Sequence, residues 1–258
     1  MKPAPFAYHR PTSVSEVFDL LERHGGAARL LAGGQSLMPM LNGRELRPSA
    51  VVDLNGVESL EGMSDVGDRL RVGALVRQHE VAAIPGVELL GQAVAHVGHL
   101  HTRHRGTVCG SLAHRDPLAE LPLALLVAGG SVEVAGNSGA REVTAEEFLS
   151  AGVGPAEMIL AAWWPRSAGP VAFEEITQGG TVCAAAAVID ADESVRVGVA
   201  GTVQRPRLAV GSAVDELMAE LARHEFIDDD IAPADYRAAA SLELARRCVD
   251  RVVDEVTS

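Results

Sequence analysis

The sequence predicts an α+β protein built in three successive parts, residues 1–55, 56–170 and 171–258. Three observations predict it. Upstream of about residue 170, short apolar runs of strand type alternate with stretches of helical period, the pattern of α/β units. From Val171 the period becomes that of consecutive strands separated by Gly or acidic turns, as in an antiparallel sheet. Two glycine-rich turns each follow an apolar segment: Ala32-Gly33-Gly34-Gln35-Ser36 and Arg105-Gly106-Thr107-Val108-Cys109-Gly110-Ser111. Glycines let a backbone come close to a bulky ligand, and free N–H groups there bind anions.

In chain order, Ser13 begins a helix and Glu16, three residues on, completes a capping-box pattern. Val14, Val17, Phe18 and Leu21 share its apolar face, and Gly25-Gly26 ends it. Ala28–Leu31 reads as a short buried strand leading into the first glycine turn and a short helix to Leu41. Val51–Leu54 is a second strand. In the second part, Leu70–Gly73 reads as a strand and Arg77–Ala83 as a short helix. Leu89, Leu90, Ala93, Val94 and Val97 form a helical stripe. After the second glycine turn, Asp116 reads as N-cap and Pro117 as first residue of a helix 117–128. Strands Ser131–Ala135 and Met158–Trp164 flank a helical turn at Glu146–Phe148. The third part has strands Val171–Thr177, Thr181–Ile189, Ser194–Val203 and Arg207–Val210. Helices Ala213–His224 and Pro233–Val256 close the chain.

Composition excludes several functions. Of 258 residues, 47% are apolar, so a substantial core forms. A net charge of −13 and 3% aromatic residues argue against nucleic acid and anionic membrane surfaces as partners. The three cysteines (109, 183 and 248) lack a CxxC spacing, which points to a reducing compartment and denies the chain its own iron–sulfur cluster. The first ten residues carry no hydrophobic targeting segment and no apolar run reaches spanning length, so the expectation is a cytoplasmic protein.

Neither a Walker sequence nor GxGxxG occurs, so a diphosphate would rest on backbone N–H groups and the side chains of Gln35, Ser36, Thr107 and Ser111. Glu120 reads equally as a partner for sugar hydroxyls or as a first-turn acid favoured by the helix dipole. His99, His101 and His104 have a spacing that invites a metal, but no Cys or paired acid stands near, and contact with a ligand or a neighbouring subunit is the better functional reading. Cys109 reads as a small apolar filler rather than a reactive thiol.

The two turns together, Ala32-Gly-Gly-Gln-Ser36 and Arg105-Gly-Thr-Val-Cys-Gly-Ser-Leu-Ala-His-Arg-Asp-Pro117, resemble the FAD-binding medium subunit of molybdenum hydroxylases, the xanthine dehydrogenase and carbon monoxide dehydrogenase family. The resemblance runs from Phe6-Ala-Tyr-His-Arg-Pro11 to Asp235-Tyr-Arg and Leu244-Ala-Arg-Arg247. It implies a two-lobed FAD-binding fold of the vanillyl-alcohol-oxidase or PCMH type, with lobes at 1–55 and 56–170 and a C-terminal antiparallel sheet with helices. By position, Leu31, Ala32, Gly33, Gly34, Gln35, Ser36 and Leu37 would wrap the FAD diphosphate. Thr107, Gly110 and Ser111 would support it from the second turn. His114 and Asp116 would lie near the flavin-side chain, Glu120 near a ribose, and Leu160 near a ring edge. The implied function is electron transfer in a complex with a molybdopterin-containing large subunit and a small subunit holding two [2Fe–2S] clusters, with FAD passing electrons to an external acceptor. No catalytic acid or base is implied, and no metal ligand. A stand-alone FAD-dependent oxidoreductase and a flavin-free scaffold are the alternatives. The sequence departs from the family pattern at Cys109, where the first of a glycine pair is expected. It departs again at Arg115, usually a small residue, and in the acidic run Phe173–Gly180, usually basic and about two residues longer.

Overall fold

The computed structural model describes residues 2–167 and 169–257. Its first part is a parallel three-stranded sheet in the order β1-β3-β2, from β1 (Ala7–His9), β2 (Ala28–Leu31) and β3 (Ala50–Asp53). Helix α1 (Val14–His24) lies between β1 and β2, with Ser13 Oγ accepting from the Glu16 N–H and Gly25 closing the end at φ 54°. Glu16 returns its carboxylate to the N–H of Thr12, one residue before the cap. The first glycine turn connects β2 to α2 (Leu37–Gly43).

The second part is a five-stranded antiparallel sheet in the order β4-β5-β8-β6-β7. Its strands are β4 (Met63–Val66), β5 (Arg69–Gly73), β6 (Ser131–Gly136), β7 (Gly139–Thr144) and β8 (Met158–Pro165). Between β5 and β6 run the 3-10 turn Gln78–Val81, then α3 (Glu88–His96), α4 (Leu100–Arg105), α5 (Val108–His114) and α6 (Glu120–Ala128). Helix α7 (Ala145–Ala151) joins β7 to β8 and carries a capping box between Thr144 and Glu147.

The third part is an antiparallel sheet in the order β12-β11-β10-β9, from β9 (Val171–Thr177), β10 (Thr181–Ile189), β11 (Val195–Ala200) and β12 (Arg207–Gly211). Helices α8 (Val214–Leu221) and α9 (Ala234–Thr257) cover one face. Ala184, Ala186 and Val188 of β10 turn to the core shared with the second part, while Cys183, Ala185 and Ala187 turn to α9. Covered on both faces, β10 is built of small residues that let helices pack closely. Arg237 of α9 is fully buried, and its guanidinium donates to the Val182 carbonyl at 2.7 Å and to Asp229 at 2.9 Å.

Helix α6 begins at Glu120, three residues after Pro117, which corrects the expected start. Asp116 caps a turn instead, its Oδ1 accepting the Leu118 N–H at 2.9 Å, and the Pro117 carbonyl accepts from Gly201 at 3.0 Å. Strand β11 stops at Ala200 rather than Val203, because Gly201 turns at φ 96° and Thr202 bridges to Phe226.

Candidate functional site

The first glycine turn and the start of α5 meet face to face. Gly33 lies against the second turn, where a Cβ would sit 3.0 Å from the Thr107 nitrogen and closer still to the Arg105 carbonyl and Gly106 Cα. Gly34 takes φ 74°, a left-handed conformation that glycine adopts without strain. Between them the two turns line one cavity of about 860 Å³, wide enough for a dinucleotide cofactor.

A chain of hydrogen bonds fastens the turns together. The Asn55 side chain donates to the Ala32 carbonyl at 2.9 Å, and its Oδ1 accepts from Arg77 at 2.6 Å. The other guanidinium nitrogen of Arg77 donates to the Arg105 carbonyl at 2.6 Å. Asp53 braces Asn55 by accepting its backbone N–H at 3.0 Å, and itself accepts the Tyr8 hydroxyl at 2.5 Å. Sequence reasoning missed Asn55 and Arg77. Their partners lie 22 to 28 residues away, and no local pattern joins them.

Of the expected site residues, Ala32, Gly33, Gly34, Gln35, Ser36, Leu37, Thr107, Gly110, Ser111, His114, Asp116 and Glu120 all line the cavity. Leu31 and Leu160 do not. Leu31 packs its side chain beside Gly34, and Leu160, packed on the core, accepts the Ala74 N–H at 3.0 Å through its carbonyl. Met158 and Ile159 form that wall instead. The glycines also serve the fold itself. Thr107 caps α5 by accepting the Gly110 N–H at 3.0 Å, and a Cβ on Gly110 would lie 2.6 Å from that hydroxyl. Space for the cap and for the opposing turn already excludes side chains at Gly110 and Gly33.

The donor set suits an anion held by backbone. Among the described residues no hydrogen bond of the chain engages the amides of Gln35, Ser36 and Leu37, and the Ser36 hydroxyl leaves its helix uncapped. Helices α2 and α5 have seven residues each, so these amides count for more than any macrodipole. Glu120 is 8% exposed, and burial, with Glu175 and Asp116 adding negative charge, pushes its carboxyl up to about 7. Gln78, missed from the sequence, lines the cavity with a buried side-chain oxygen that has no partner. Such a wall, with free amides, free hydroxyls and an unpaired buried carboxamide, fits a cofactor bearing phosphate, hydroxyls and a hydrogen-bonding ring.

The departures have structural explanations. Cys109 sits in α5 with helical backbone and needs no positive φ. It is 3% exposed, and burial pushes its thiol up to about 12, which makes it an inert filler. Arg115 ends α5 at φ 52° and lays its guanidinium on Gly152, next to the cavity wall at 153–157. The acids of 174–180 do not face the cavity. Glu174 pairs with Arg251, while Glu175 accepts the Thr181 hydroxyl at 2.7 Å and stands 3.1 Å from His96 Nδ1. His99 stacks on His101 with ring centroids 5.5 Å apart, and His104 meets His79 at a tilt with centroids 4.0 Å apart. Among the described residues no group of three or more His, Cys, Asp or Glu could hold a metal ion, and no helix is long and apolar enough to cross a membrane.

Comparison with known proteins places these features. The family described as the FAD binding domain in molybdopterin dehydrogenase matches residues 4–163. The nicotine 6-hydroxylase medium subunit of Paenarthrobacter nicotinovorans is 31% identical over 280 residues, covering 96% of this chain and 98% of its own. The carbon monoxide dehydrogenase medium chain of Afipia carboxidovorans is 29% identical over 284 residues, covering 97% and 98%. The crystal structure of quinoline 2-oxidoreductase from Pseudomonas putida 86 superposes with a TM-score of 0.90 at 27% identity, covering both chains fully.

Proposed function

The chain belongs to the FAD-binding family of molybdopterin dehydrogenases, and from that footing we propose that it is the electron-transfer subunit of a molybdenum hydroxylase-type complex. Its cofactor is FAD and its class is oxidoreductase. In this reading a large subunit with molybdopterin oxidises the substrate, and a small subunit with [2Fe–2S] clusters relays electrons through FAD to an external acceptor. The observation that carries the reading is the contact of the two glycine turns across one cavity.

FAD supplies the redox chemistry, and the chain supplies binding, orientation and electrostatics. The turn 32–36 and the start of α5 hold the diphosphate through free amides and the Ser36, Thr107 and Ser111 side chains. His114 and Asp116 lie along the sugar-like chain, and Glu120 meets a ribose hydroxyl. We assign residues 1–55 and 56–170 as the two lobes that clamp FAD and 171–258 as the part that packs beside them. Arg77 and Asn55 keep the lobes in register.

Purification of the native complex tests this reading. Size exclusion with flavin, molybdenum and iron analysis should find FAD together with both metals and two further chains. A chain that elutes alone with FAD would make it a stand-alone oxidoreductase. A colourless chain that gains no flavin spectrum with added FAD would end both redox readings.

A further inference from the structure

Among the described residues, one buried side-chain oxygen on the cavity wall has no hydrogen-bond partner in the chain. Gln78 is 4% exposed, and its backbone is fixed by donation to the Gly106 carbonyl at 2.9 Å. Its side-chain oxygen is buried without a partner, packed so close to Gly106 that a Cβ there would lie 2.6 Å away. A buried carboxamide left unpaired is costly, and natural folds keep one where something pairs with it. The oxygen and nitrogen of the carboxamide are nearly isosteric, so either can take the place beside Gly106 and leave the other to the cavity.

The chemistry of a carboxamide says which part of the cofactor pairs with it. Leu54, Ala74, Val97 and Cys109 also line the cavity, and all four are buried and apolar. His114, Asp116, Glu120 and Glu157 line it too, among the apolar Val153, Met158 and Ile159. FAD carries both kinds of surface. The isoalloxazine is a broad apolar tricycle with one imide edge, where a carbonyl and an N–H stand side by side. The ribityl chain and the ribose carry the hydroxyls. A carboxamide is the complement of an imide edge, donating to its carbonyl and accepting from its N–H.

We propose that Gln78 binds the imide edge of the isoalloxazine and thereby sets the affinity and reduction potential of the flavin. The inference rests on this cavity being the FAD site. A donor at a ring carbonyl favours the electron-rich reduced ring, so Gln78 raises the potential.

The test uses the full chain stripped of flavin, with variants Q78L and Q78E titrated with FAD and, separately, with ADP. Wild-type uptake of FAD establishes the site itself, and its failure would count against the proposed function rather than against Gln78. In Q78L, FAD affinity should fall about tenfold, the worth of a buried hydrogen bond pair. The visible flavin bands should shift and the midpoint potential should drop, while ADP affinity and flavin-free melting stay at the wild-type level. A merely structural glutamine would lower the melting temperature and leave the bands alone. Q78E, nearly isosteric and unable to donate when ionised, should lower the potential further. Unchanged FAD affinity and spectrum in both variants, or equal losses for FAD and ADP, would overturn the assignment.

Discussion

The two glycine turns look alike in sequence and differ in what their glycines do. In the first, Gly34 is required for its backbone, at φ 74°, and Gly33 for the closeness of the opposing turn. In the second, Gly106 and Gly110 hold ordinary backbone angles, and what the chain requires of them is space, against Gln78 and the Thr107 hydroxyl. The first is a turn that leads into a helix, and the second is itself a capped helix start. A glycine in a motif therefore marks a place where a side chain is unwelcome, without saying whether conformation or crowding is the cause.

The largest test of this difference is Gly33→Val. A branched side chain there runs into the Arg105 carbonyl and Gly106 and forces the two turns apart. FAD should be lost on gel filtration, and flavin-free stability should drop by about 1–3 kcal/mol from overpacking. Retained flavin absorbance would show that the turns need not touch. Charge gives the next largest effect. No residue from Ala32 to Leu37 is titratable, whereas the second turn continues through His114 and Asp116 to Glu120. Because the Glu120 carboxyl is raised from 4.5 to about 7 on folding, the folded flavin-free chain binds more protons between those values and loses stability as pH rises through them. Glu120→Gln should remove that loss, stabilising the flavin-free chain by up to about 3 kcal/mol at pH 8 and hardly at all near pH 4.5. Denaturant melts at the two pH values measure it, and a gain independent of pH would show that burial does not set the state of Glu120.

What was legible in the sequence follows the range of the forces involved. The α1 cap at Ser13, the turn at Gly33-Gly34 and the alternation from Val171 onward are local, and they stand where the sequence puts them. Strands β4 and β7 were invisible because nearly every residue in them is exposed, so no alternation of apolar and polar residues betrays a strand. The start of α6 was misplaced because the Pro117 carbonyl goes to Gly201, a partner 84 residues on that no window reaches. The site shows the same division. The residues of both turns could be named from their spacing, but the Asn55–Arg77 clasp and the unpaired Gln78 exist only once the chain has folded.

The smallest effect separates the two kinds of glycine most cleanly. Asparagine tolerates left-handed backbone better than other side-chain-bearing residues, and the atoms nearest a Cβ at Gly34 are side-chain carbons of Leu31 and Met38, at 3.1 and 3.2 Å, rather than backbone. Gly34→Asn should therefore cost well under 1 kcal/mol and keep FAD. At Gly110 the backbone would accept asparagine without strain, but the side chain would push Thr107 off the helix end and forfeit the cap, at a cost of about 1 kcal/mol. Thr107→Ala should reproduce that loss by itself and add little on top of Gly110→Asn, since both remove one hydrogen bond. Thermal melts of the two single variants and the double variant decide the matter. If Gly34→Asn proved the more damaging, or if the losses at 107 and 110 summed, crowding at the cap would not explain why the second turn needs its glycine.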